Sequence, residues 1–106
     1  MSLYPPFFKW GICRSKDEKN PDVLTVETVE TETFETEYNV CVKAIVDGIE
    51  KNIPLQSFES KNVQLLQKWK DGVKKGNIKE GKKFRIKTWL GTSKNNFPIR
   101  RYELVF

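Results

Sequence analysis

The sequence predicts an all-β domain with one helix, ordered β-β-β-α-β-β behind an extended N-terminal segment. Three observations carry that prediction. Tyr38, Val40, Val42, Ala44 and Val46 alternate strictly, Asp47-Gly48 supplies the preferred pair for a two-residue type I′ turn, and Ile49, Lys51, Ile53 and Leu55 resume the alternation. Val63, Leu66, Trp69 and Val73 then change to helical spacing, with Leu65 alongside. Period two returns from Lys83 to Leu90 and from Ile99 to Val105.

The 106 residues are expected to form a single domain, 1–106, with 1–22 as an N-terminal extension. Pro5-Pro6, Phe7, Phe8, Trp10 and Ile12 read as an extended segment that packs on the main body, and residues 14–22 as a polar loop. Val23 to Tyr38 is rich in Thr, Val and Glu, which suits a pleated surface with one wet side. Its apolar phase shifts between Val26 and Val29, predicting a bulge near Glu27-Thr28, and a turn is expected near Phe34–Glu37. Pro54 implies a strand end or an unpaired edge. In the helix, Ser60 is the expected N-cap, Gly76 the terminator and Trp69 the anchor over the sheet. Glu80-Gly81 turns the chain into the next strand, and residues 91–98 form a polar loop.

Composition narrows the function. No apolar run approaches the roughly 18–20 residues that cross a bilayer, and the N-terminus lacks the pattern of a secretion signal, so an intracellular protein is expected. Cys13 and Cys41 have no metal-ligand spacing and no histidine to join them; they read as buried or half-buried thiols, with a disulfide left open on spacing alone. No metal or other cofactor is expected. The absence of His, of a Cys with a base partner and of a Gly-rich phosphate loop argues against an enzyme. The net charge of +5 hides a division: residues 1–60 carry 6 Lys/Arg against 11 Asp/Glu, whereas residues 61–106 carry 13 against 3. The C-terminal half therefore suits a polyanion, or is a solvated Lys-rich surface.

The last quarter sharpens this. Phe84, Ile86, Thr88 and Leu90 fall on one side of a strand, and Lys83, Arg85, Lys87 and Trp89 on the other. Cations ending in an indole can hold a phosphate backbone and stack a base; the indole can equally cap the mouth of a small barrel. Lys94, Asn95, Asn96 and Phe97 follow on the loop, a polar stretch with one exposed-looking aromatic. Arg100 and Arg101 point to opposite faces of the closing strand, so at most one shares the binding side, and Tyr102 is a further stacking candidate.

The element order, the bulged first strand and the Gly-x-x-Phe-x-Ile-x-Thr-x-Leu cadence from Gly81 to Leu90 resemble the oligonucleotide/oligosaccharide-binding (OB) barrel over residues 23–106. The resemblance implies a five-stranded barrel whose second and third strands carry the ligand, flanked by the loops 34–37 and 91–98. It adds Lys43 and Lys51 as phosphate contacts and, on the second loop, Lys94 for charge, Asn95 and Asn96 for base edges and Phe97 as a ring to stack on a base or to tuck under the loop. The expected function is non-catalytic binding of single-stranded DNA or RNA, without membrane association. The alternative is a protein-interaction or self-association module using the barrel, the acidic strand and the apolar arm of Phe7, Phe8 and Trp10. The acidic run Glu27, Glu30, Glu32, Glu35 and Glu37 departs from the pattern, because it stands where the groove should be positive.

Overall fold

The computed structural model of the chain describes residues 7–57, 64–92 and 94–106. Its first strand, β1 (Asp22–Thr28), buries Leu24, Val26 and Thr28 and turns Val23 and Thr25 to solvent, as alternation requires. The chain then leaves the ladder and rejoins it as the short β2 (Phe34–Glu35). Both segments pair with β3 (Asn39–Val46): Thr28 lies opposite Ala44 and Phe34 opposite Cys41, so five residues (29–33) span the two positions 42 and 43. The expected bulge is therefore a larger irregularity, just beyond Glu27-Thr28, and it splits the first strand in two. Trp69 explains where the freed backbone goes, because its indole Nε1 donates to the Thr31 carbonyl at 3.1 Å.

β3 turns through Asp47-Gly48 into β4 (Ile49–Ser57), and both turn residues have positive φ, 51° and 89°, as type I′ demands. Pro54 sits on this edge strand at a bulge: Cys41 pairs with Pro54 and Val40 with Gln56, leaving Leu55 extra. Between β2 and β3 the Thr36 hydroxyl accepts from the amides of Tyr38 and Asn39, which closes a turn without Gly or Pro.

Helix α1 (Gln64–Lys74) lies over the sheet through Leu65, Leu66 and Trp69, and the Trp69 ring is 5.8 Å from that of Phe84. Gly76 (φ 78°) ends it; the expected cap Ser60 lies outside the described residues. A side chain at Gly72 would stand 2.6 Å from Ile78 Cδ1, so glycine there lets the following loop fold back onto the helix. β5 (Lys83–Thr92) and β6 (Pro98–Val105) complete the sheet.

All six strands belong to one antiparallel sheet, in which β4, β3, β1, β5 and β6 are successive neighbours and β2 continues β1 along β3. The arrangement corrects the expectation of a five-stranded closed barrel: among the described residues there are six strands, and no ladder joins β4 to β6. The N-terminal arm lies across that gap. Phe8 N donates to Asn52 O on β4 at 2.9 Å, and Trp10 Nε1 donates to Pro54 O at 2.8 Å. The Trp10 ring then meets Tyr102 of β6 edge-on at 5.0 Å, and Arg100 of β6 donates to Cys13 O at 2.8 Å. Phe8 is 3% exposed and part of the core. The arm thus stands in for the missing ladder and covers a stretch of both edges. Cys13 and Cys41 are separate buried thiols, and burial raises the pKa of each. Among the described residues no helix is long and apolar enough to cross a membrane.

Candidate nucleic-acid interface

The register of β5 fixes which side chains share its outer face. Phe84, Ile86 and Thr88 are buried beneath it, while Lys83, Arg85, Lys87 and Trp89 point away, the first two exposed and the others half-buried. Their neighbours are set by the ladders. Lys83 lies opposite Glu27 of β1, Arg85 lies between Thr25 and Val105, Lys87 lies between Val23 and Glu103, and Trp89 lies opposite Arg101. Arg85 therefore has no carboxylate directly across from it on either side. Among the described residues the one ion pair within 4.0 Å is Lys43–Glu30, on the other flank of the sheet.

Two recesses open on this face. One, of about 420 Å³, is lined by Thr25, Lys83, Phe84, Arg85, Val105 and Phe106. The other, of about 260 Å³, is lined by Thr25, Glu27, Ile45, Gly48 and Lys83. At the far end of the strand, a side chain on Gly91 would come within 3.1 Å of Arg101 Cγ and 3.5 Å of Nε, so the arginine passes close over a backbone that has no Cβ to displace it. The loop beyond carries Lys94, Asn95, Asn96 and Phe97, all exposed, with Asn96 at φ 61° turning the chain and the Phe97 ring 67% exposed. The alternative of Phe97 tucked beneath the loop is thereby set aside.

Other predicted contacts lie elsewhere. Arg100 is opposite Leu90 on the inner side; Nη1 donates to Thr88 Oγ1 at 3.1 Å and Nη2 to Cys13 O at 2.8 Å, which makes it a strut for the arm. Tyr102 is also on the inner side, packed on Trp10, and burial pushes its phenol up to about 12 despite the opposing pull of Arg100. A phenol held there offers no face to a base. Lys51 is opposite the buried Ala44 and shares its side of β4 with Ile53, its Nζ standing 5.6 Å from the centroid of Phe8. Lys43 points to the other side of that hairpin and faces Glu30. The two lysines of the β3–β4 hairpin thus share no face with each other, and β1 stands between them and β5.

Glu30, Glu32, Glu35 and Glu37 are all exposed and cluster at the break and turn around β2, next to β3. The sheet order therefore sets most of the acidic run apart from the cations: Glu30, Glu32, Glu35 and Glu37 gather beside β3, whereas Glu27 and Glu103 flank the cations of β5. Gly91, Thr25, Val105 and Phe106 were not singled out from the sequence. Their signal is the β5–β6 register, which places Gly91 diagonally beside Arg101 and Val105 opposite Arg85. No family model, curated protein or solved structure matches the chain.

Proposed function

We propose that this protein binds single-stranded nucleic acid without catalysis, on the outer face of the β5–β6 hairpin. The observation that carries the reading is the alignment of Lys83, Arg85, Lys87 and Trp89 on one face, extended by Arg101 and by the exposed Phe97. Cations in such a row release counterions from a phosphate backbone, and an indole at its end stacks an unpaired base. The strand order β4-β3-β1-β5-β6 and the helix between β4 and β5 support treating the sheet as an opened OB-type arrangement, with the N-terminal arm in the place of barrel closure.

Intrinsic fluorescence tests the reading directly. Trp69 is 1% exposed and its indole N–H is bonded, and Trp10 is held in the seam, so an added oligonucleotide should act mainly on Trp89. Quenching by oligothymidylate is expected, with affinity falling as salt rises. Trp89→Ala should weaken binding about tenfold, in line with roughly 1–3 kcal/mol per stacked base. Absence of binding at low salt would sink the proposal. The assembly alternative keeps support from the acidic run with exposed Phe34 and Tyr38; Phe8 and Trp10 are engaged within the fold.

A further inference from the structure

We infer that the bound strand lies lengthwise along β5, one nucleotide to every two residues, and that Gly91 positions Arg101 to hold the phosphate at its end. The inference rests on the nucleic-acid reading above and adds a path, a length and a positioning residue. Side chains on one face of a strand recur about every 6.7 Å, twice the 3.3–3.4 Å rise per residue. That repeat is also about twice the 3.4 Å rise of each strand in a stacked duplex, so it suits an extended chain of unstacked nucleotides. Lys83, Arg85 and Lys87 then take three successive phosphates, and the base of the fourth nucleotide lies on Trp89.

Charge and the row of cations together favour one direction. A chain crossing β5 at Lys83 would run onto Glu27 of β1, and one crossing at Lys87 would run onto Glu103 of β6. These carboxylates flank the cations, and a crossing at Arg85, free of them, would meet only one cation of the row, so the course that takes all three follows β5 itself. The path ends where Arg101 lies across Gly91, within 3.5 Å of a Cβ placed there, opposite Trp89. An arginine paired across the ladder from an indole can present its planar donors to a phosphate next to the stacked base. A duplex fits poorly, because its bases are stacked internally and give Trp89 no face.

The test is a titration of the full chain with oligothymidylates from two to about eight nucleotides, followed by fluorescence. Affinity should climb steeply to about four nucleotides and then only by the statistical gain of extra registers. The slope of log K against log salt should be about −3, for four contacts at roughly −0.7 each. Gly91→Ala should weaken binding about as much as Arg101→Ala, with no further loss when the two are combined. Should Gly91→Ala unfold the chain, Arg101→Ala alone still decides, because it must lower the slope by about 0.7. Affinity that keeps rising to eight nucleotides, falls in Lys43→Ala, or is matched by a duplex would overturn the lengthwise path and leave the binding function standing. No binding of any oligonucleotide at low salt overturns both.

Discussion

Arg100 and Arg101 are adjacent on β6 and meet opposite surroundings. On the seam side, Arg100 is bonded to Thr88 and to the carbonyl of Cys13, beside Tyr102 and Trp10. On the outer side, Arg101 lies over Gly91 opposite Trp89, and its guanidinium is not tied into the fold by any described salt bridge. The seam spends its cation and rings on closing the molecule. On the outer face Arg101 and Trp89 are also half-buried, but no described salt bridge holds the arginine. A cation hydrogen-bonded to buried groups is costly to remove because its partners are left unpaired, whereas one without such bonds contributes less to stability and can be devoted to a ligand. The difference predicts that substitutions at the seam act on folding and those on the outer face act on binding.

The largest expected effect is at Trp10, which joins the two edges through its ring and its indole N–H. Trp10→Ala should cost about 3 kcal/mol in urea unfolding, from lost packing and an orphaned Pro54 carbonyl. Oligonucleotide affinity of the folded fraction should stay unchanged. A stability loss below about 0.5 kcal/mol would mean that the arm merely rests on the sheet.

Tyr102 tests the same seam by pH. Its folded-state pKa is pushed up to about 12 from the ordinary 10.0, chiefly by burial, so the folded protein holds that proton more tightly than the unfolded chain. The resulting stability is fully present below pH 10 and falls as pH rises from about 10 to about 12, because there the unfolded state binds fewer protons. The loss should be about 2 kcal/mol, and Tyr102→Phe should abolish that component of it.

The contrast between the two faces was only partly legible in the sequence. The Asp47-Gly48 hairpin, the helix with Trp69 beneath it and the side division of β5 were, because each follows from spacing within a short segment. The split of the first strand was blurred, since residues 29–33 contain no Gly or Pro and the break is held by a tryptophan 38 positions away. The arm's closure was not legible as such: Phe8 meets Asn52 and Trp10 meets Tyr102 only once the whole sheet exists. An arginine in a sequence reads as surface. Only the pairing of Leu90 with Arg100, beside the inward hydroxyl of Thr88, turns one of the two inward. The side taken by Lys51 is set in the same way, by its pairing with Ala44, which faces the core.

Substituting Arg100 should therefore behave as a seam defect. Arg100→Ala removes two hydrogen bonds, one of them to the arm, and should cost about 1.5–2 kcal/mol in urea unfolding. The salt slope for oligonucleotide binding should not move. A slope change as large as that of an outer-face variant would show that the seam is not sealed during binding.

The smallest stability effect, and the sharpest test of the division, belongs to Arg101. Arg101→Ala should shift stability by less than about 0.5 kcal/mol, since its outer-face position leaves no buried partner behind. Its effect should instead be read in binding, as a salt slope lower by about 0.7 and a weaker complex at low salt. The paired measurement matters more than either value alone. Removing a cation lowers net charge equally in Arg100→Ala and Arg101→Ala, so any effect of overall charge on a polyanion is common to both. A difference between the two slopes isolates contact from long-range attraction, and equal slopes would mean that the outer face attracts the ligand without holding it at Arg101.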